Sequence, residues 1–220
     1  MGEQQIFNLS TEEYFFEEDF CISQSNQDVC NYLRKWPNWG DDNIINIFGP
    51  KKSGKTFLLT VFERKNYFFR ISANTLNKET VSSALSQDRL IIEDVEENIN
   101  EELLFLLFNE FKNNNKYLIF SSTQDSSRIS FQLQDLSSRF KSMLNLEISN
   151  PSDTLLGSVL MKQLSEKQIT IKKELITHTI KRIERSYDSV NKFAVMIDEE
   201  SLKNKKKIDL KLINLVLSKI

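Results

Sequence analysis

Cysteine is nearly missing from this sequence: Cys21 and Cys30 are the two in 220 residues. A single pair cannot staple a small secreted scaffold, so a disulfide framework is excluded and a reducing cytoplasm is the expected compartment. The two thiols also lack C-x-x-C spacing, and burial is their default role. Histidine is scarcer still. His178 stands alone inside a predicted helix, without Cys or acidic partners at ligand spacing, so no zinc-type centre is expected. Glycine and proline number 5 and 3, and there is no internal repeat or low-complexity tract. No apolar run approaches the ~20 residues that a membrane-spanning helix needs, which predicts a soluble protein with no membrane partner. The opening MGEQQIFNLSTEE lacks the basic and apolar regions of a secretory signal. An excess of charge is absent too: 29 Lys+Arg against 31 Asp+Glu leave a net −2. The resulting pI near 5.7 argues against a surface built to neutralise nucleic-acid phosphates.

What is present is a globular composition, 40% hydrophobic with 16 Phe, long enough for one or two domains with a buried core. The first 13 residues are polar and acidic, interrupted by Ile6, Phe7 and Leu9, and read as an arm. A helical pattern over 20–36 ends at Pro37 and Gly40. Short apolar runs at 43–48, 67–71, 89–95, 116–121 and 143–148 read as buried strands, with helical segments at 54–63, 101–112 and 133–139 between them. Alternating strands and helices predict an α/β fold with a parallel sheet covered on both faces. After Asn150-Pro151 only helical patterns remain, at 152–164, 171–185, 187–199 and 209–219. There Ile176, Ile180 and Ile183 share one stripe, and Tyr187, Val190, Ala194 and Ile197 another. The expected organisation is an arm at 1–16, an α/β domain at 17–150 and a helical lid at 151–220.

The strongest chemical signal follows the first strand. Gly49-Pro50-Lys51-Lys52-Ser53-Gly54-Lys55-Thr56 matches G-x-x-x-x-G-K-[ST] in the strand–loop–helix setting that gives the pattern its meaning. Its glycines allow a turn that aims successive N–H groups at an anion, and the helix that follows adds a positive dipole end. Lys55 is placed to reach β- and γ-phosphates and the Thr56 hydroxyl to ligate Mg²⁺, with Phe57 next to them. The third strand ends in Leu90-Ile91-Ile92-Glu93-Asp94, which puts two carboxylates at the same end of the sheet. One, assigned to Glu93, would hold Mg²⁺, and the other would orient or deprotonate an attacking water. The bland alternative is that Glu93, Asp94, Glu96 and Glu97 form a solvated acidic turn.

Two further segments carry a resemblance. Ser121-Ser122-Thr123-Gln124 ends the fourth strand, and Leu136-Ser137-Ser138-Arg139-Phe140 precedes the fifth. In this order the motifs are similar to the AAA+ ATPases, and among them to the ATPase domain of the DnaA replication initiators and their shorter Hda-type relatives. Trp36-Pro37-Asn38-Trp39 looks like the alphaproteobacterial Hda branch. The resemblance implies an AAA+ core with a five-stranded parallel sheet and an all-helical lid, binding ADP or ATP with Mg²⁺. It implies that Arg139 is an arginine finger supplied in trans, a device worth ~10³–10⁵ in phosphoryl transfer. It also implies a phosphate-touching arginine near the third lid helix, for which Arg185 is the candidate. In Hda proteins an N-terminal peptide docks on the DNA polymerase sliding clamp; here Gln4 would hydrogen-bond while Phe7 and Leu9 fill an apolar groove. The sequence stops at Ile220, after the last lid helix and without the DNA-binding domain of DnaA, so sequence-specific DNA binding is not expected.

The implied function is regulatory: promoting hydrolysis of DnaA-bound ATP together with the sliding clamp, with DnaA and the clamp as partners and a homo-oligomer as a further possibility. The alternatives are an autonomous ATPase of helicase-loader type and a non-hydrolysing adaptor. Lys203, Lys205, Lys206 and Lys207 read as a solvated basic loop or a weak DNA contact.

Overall fold

The computed structural model describes residues 15–17, 20–40, 42–96, 99–204 and 208–220. Strands β1 (Phe15–Glu17) and β2 (Phe20–Ile22) pair as an antiparallel hairpin, and helix α1 spans Gln27–Arg34. The helix expected from residue 20 therefore begins seven residues later. Its start is delayed by a polar turn in which Asn26 Oδ1 accepts from the Ser23 N–H at 2.8 Å, a local bond that competes with helix formation.

The main sheet contains β3 (Ile44–Phe48), β4 (Phe69–Ser72), β5 (Arg89–Glu93), β6 (Tyr117–Ser122) and β7 (Leu144–Glu147). All five run parallel, in the order β4-β5-β6-β3-β7. The strand expected from residue 67 starts at Phe69, because Tyr67 adopts a left-handed conformation and closes helix α2 (Lys55–Asn66) by donating its N–H to the Glu63 carbonyl. Side chains of the inner strands alternate between two apolar layers. Ile45, Ile47, Ile91 and Ile119 pack with Val29, Leu59 and Phe62 from α1 and α2. Ile44, Leu90, Ile92, Leu118 and Phe120 pack on the opposite face against α3 (Lys78–Leu85), α4 (Glu101–Asn113) and α5 (Gln134–Lys141). Burial on both faces is why these strands read as continuous apolar runs. Helix α3 was absent from the sequence expectation; it is secured by a capping box between Asn77 and Thr80.

The C-terminal helices are α6 (Asp153–Glu166), α7 (Lys173–Ile180), α8 (Tyr187–Asn204) and α9 (Leu210–Leu217). Leu156, Leu160, Ile180, Val190, Phe193 and Ile213 form their separate core. The helix expected over 171–185 stops at Ile180, leaving residues 181–186 as a turn that meets the loop at 49–54 through Glu184 and Lys52. His178 Nε2 lies 2.9 Å from Asn214 Oδ1 and ties α7 to α9, and the described residues contain no cluster suited to a metal ion. Cys30 is buried, as expected. No described helix is long and apolar enough to cross a membrane.

Candidate functional site

The sheet order sets the site. Strand β3 is flanked by β6 and β7, and the crevice beyond its C-terminal end is where open α/β sheets hold ligands. Residues 49–54 fill that position and lead into α2. The Gly49 N–H donates to the Ser122 carbonyl at 3.3 Å, pinning the loop to β6, and a Cβ at Gly49 would collide with the Ile148 carbonyl. Lys52 (φ 64) and Gly54 (φ 98) are left-handed, which curls the backbone into a concave nest.

What this nest offers is positive electrostatic character. Gly54, at the N-cap of α2, has no side chain to cap the helix, and the first turn carries no acid. Among the described α-helices only α2 lacks both devices: every other has an acidic first turn, except α9, which is capped by Asp209. Its first-turn N–H groups have no partner within the helix, and its dipole end is uncompensated. Ser53 is 2% exposed and its Oγ has no hydrogen-bond partner. Both features fit a phosphate group. Lys55 Nζ bonds the Gly49 and Pro50 carbonyls at 2.6 and 2.8 Å. Burial pushes its pKa down, while the charges of Asp94, Glu96 and Glu93 pull the other way. Lys51, Thr56 and Phe57 lie on the exposed rim.

The two candidate carboxylates occupy different surroundings. Asp94 is exposed, in a left-handed conformation, and its N–H reaches Ser121 Oγ at 3.4 Å. Glu93 is buried at the end of β5, with Oε2 3.3 Å from Arg70 Nη1 and Oε1 buried without a partner. Arg70 Nη2 also reaches Glu63 Oε2 at 2.7 Å and Thr60 Oγ1 at 2.8 Å, so this side chain joins β4, β5 and α2. Sequence reasoning did not single out Arg70; its one signal was a lone cation in the apolar run Phe68-Phe69-Arg70-Ile71.

Behind the loop, a polar chain crosses the sheet. Ser122 Oγ donates to Asn46 Oδ1 at 3.0 Å, Asn46 Nδ2 to Asn145 Oδ1 at 2.9 Å, Asn145 Nδ2 to Ser126 Oγ at 2.8 Å, and Ser126 Oγ to the Phe140 carbonyl at 2.6 Å. Buried polar groups in a low dielectric persist only when satisfied, so this chain fixes α5 relative to the strand ends. On α5, Arg139 is half-buried, with its guanidinium 5.3 Å from the Phe105 ring centroid and 5.7 Å from that of Phe108.

The C-terminal helices also reach the loop, though not through the expected residue. Arg185 Nη2 pairs with Asp153 Oδ1 of α6 at 2.8 Å. It is Glu184 that touches the loop, its Oε2 2.9 Å from Lys52 Nζ. The bond to Lys52 holds the Glu184 carboxyl below its usual range and raises Lys52. Tyr187, at the start of α8, packs its ring against Gly54, where an added Cβ would meet Cε2 at 3.0 Å. Gln4, Phe7, Leu9, Glu97, Lys205, Lys206 and Lys207 lie outside the described residues.

No family model matches the chain. The DnaA replication initiator of Campylobacter jejuni (serotype O:6, strain 81116) is 26% identical over 219 residues, covering 84% of this chain and 50% of the relative. That of Borreliella burgdorferi (strain B31) is 27% identical over 142 residues, covering 60% of this chain and 28% of the relative. The chain thus spans half or less of the length of these curated relatives. Among solved structures, domain III of Thermotoga maritima DnaA superposes with a TM-score of 0.76 at 21% identity, covering 92% of this chain and 95% of that one. DnaA of Aquifex aeolicus bound to AMPPCP gives 0.70 at 18%, covering 84% and 65%. The RuvB Holliday junction branch migration motor of T. maritima gives 0.70 at 19%, covering 90% and 69%. The fold is that of the AAA+ P-loop ATPase domains.

Proposed function

Starting from homology to the DnaA initiators, we propose that this chain binds an adenine nucleotide, ADP or ATP, on residues 49–57 and uses it as a DnaA-related regulator of replication initiation. The observation that carries the reading is the opening of α2: the one described α-helix start with neither a side-chain cap nor an acid, beside a buried Ser53 hydroxyl without a partner. The AMPPCP held by the Aquifex relative supports the same choice of ligand.

Bound ATP supplies the polyphosphate and its transferable γ-phosphoryl group. The chain's own part is to receive it. The first-turn N–H groups of α2 and the Ser53 hydroxyl donate to phosphate oxygens, and Lys55 exchanges its bonds to two loop carbonyls for the anion. Thr56 and Asp94, both on the exposed side, are the groups open to a divalent cation carried with the nucleotide; Glu93 is engaged by Arg70. Glu184 and Tyr187 touch the loop from the C-terminal helices, so occupancy of the nest is felt by the lid. Calorimetric titration with ADP tests this directly. Saturable binding that Lys55→Ala abolishes is expected, and an absence of heat with both nucleotides removes the reading.

The finer role is an Hda-type one. The chain would dock on the sliding clamp through Gln4, Phe7 and Leu9 and present Arg139 to ATP bound by DnaA. Two aromatic rings hold the Arg139 guanidinium half-buried on its own domain, which stores the cation in a partly desolvated place. Turnover of DnaA-bound ATP in the presence of DNA-loaded clamp checks it. Arg139→Ala should lose the stimulation, and stimulation equal to the unaltered chain sinks this role while leaving nucleotide binding intact.

A further inference from the structure

We propose that Arg70 acts as a built-in cation on the metal side of the nucleotide site, so that this chain holds its nucleotide with little dependence on divalent metal. The inference rests on the nucleotide reading above for its ligand, but its geometry is independent of it. Arg70 extends from β4 toward the C-terminal end of the sheet and meets Glu93 on β5, where register places Ser72 beside Glu93. The guanidinium bonds Glu93 at 3.3 Å, Glu63 at 2.7 Å and Thr60 at 2.8 Å, and Thr60 in turn donates to the Thr56 carbonyl in the first turn of α2. The Arg70 and Glu93 side chains are only 20% and 12% exposed, so this attraction is little screened.

The electrostatic consequence is specific. A carboxylate bonded to a fixed guanidinium has its charge largely compensated, and a divalent cation beside it would face the positive Arg70 at close range. The metal-side role expected of Glu93 is thereby filled by the chain itself. Arg70 also places Glu63 and Glu93 on one cation. Removing it leaves the Glu63 and Glu93 carboxylates converging on the space the guanidinium vacates, two hard oxygen donors that would draw Mg²⁺ or Mn²⁺ there.

The test compares the unaltered chain with Arg70→Met, Arg70→Lys and the double variant Arg70→Met, Glu93→Gln. ADP affinity is measured in Mg²⁺ and in EDTA. The unaltered chain should bind within about threefold under the two conditions, and Arg70→Met should become more than about tenfold tighter with Mg²⁺. Arg70→Lys, which keeps the charge, should behave as the unaltered chain. A Mg²⁺ dependence above about tenfold in the unaltered chain overturns the proposal, even if no variant folds. A second arm omits nucleotide and follows loss of the free Mn²⁺ EPR signal. Arg70→Met should gain a Mn²⁺ site that the double variant lacks, and the unaltered chain should have none. Mn²⁺ retained by the unaltered chain through Glu93, or no gain in Arg70→Met, overturns the proposal. Absence of ADP binding alone removes the nucleotide reading and leaves this arm to decide on Arg70.

Discussion

Two ion pairs flank the phosphate loop, and they differ in nearly everything except their sign. On the sheet side, Arg70 and Glu93 are 20% and 12% exposed and share a network with Glu63 and Thr60. On the lid side, Lys52 and Glu184 are 46% and 61% exposed and meet at 2.9 Å, with Ser189 the further hydrogen-bond partner of Glu184. A buried pair cannot be half-removed without stranding a charge in low dielectric, whereas an exposed pair is readily replaced by water and salt. The sheet side of the nest is therefore a fixed wall, and the lid side is an adjustable one. Under the proposed function, that asymmetry lets the C-terminal helices respond to occupancy while the sheet side stays fixed.

The sharpest way to break this comparison is Glu93→Ala. It leaves Arg70 with Glu63 and Thr60 alone and should cost about 2–3 kcal/mol of stability in chemical denaturation. A cost near zero would mean that the pair behaves like a surface contact and that the wall is not fixed. Next in size is Gly49→Ala. The new Cβ has to displace the Ile148 carbonyl, an overpacking that should cost about 2 kcal/mol. The shifted loop should also lose ADP binding in calorimetry, while a variant that binds ADP normally would show that the nest tolerates a different path.

The same contrast explains what the sequence could and could not disclose. The five strands were legible because helices cover both faces of the sheet, so the inner strands are mostly apolar, with polar residues such as Asn46, Glu93, Ser121 and Ser122 as the exceptions. The loop was legible because its chemistry is contiguous: Gly49, Gly54, Lys55 and Thr56 act within eight residues. Helix α3 was not, since only Val81 and Ala84 of its eight residues are buried and its stability comes from the Asn77 capping box. Arg70 was hidden because its partners arrive through parallel pairing of β4 with β5, 23 residues apart in sequence. Glu184 was hidden further, its bond to Lys52 spanning 132 residues and depending on how the helices dock. Arg185 drew attention by its charge, yet its partner is Asp153 within the lid.

A smaller effect is expected at Arg139. Its stacking on Phe105 and Phe108 is half-buried, so Arg139→Ala should lower stability by about 0.5–1 kcal/mol, measured by the denaturation midpoint at constant slope. A larger loss would place Arg139 with the fixed wall rather than among groups that can be presented to a partner.

The smallest effect on stability, and the most informative about the lid, is expected for Lys52→Ala. Because both side chains are solvent-exposed, the unfolding midpoint should not move measurably, while ADP should dissociate faster as the lid loses its hold on the loop. The pH dependence has a defined sign at each end. Glu184 has its pKa lowered by Lys52, so its share of the latch is present above the ordinary carboxylate range and lost as pH falls through the depressed value. Lys52 has its pKa raised by Glu184, so its share is complete below the ordinary lysine value and lost as pH rises through the elevated one. The latch is thus closed across the neutral range and opens toward both extremes. At neutral pH, added salt should speed ADP release from the unaltered chain toward the rate of Lys52→Ala and leave that variant unaffected. If salt accelerates both equally, the exposed pair is not what holds the lid, and the adjustable wall must be sought in the packing of Tyr187 on Gly54.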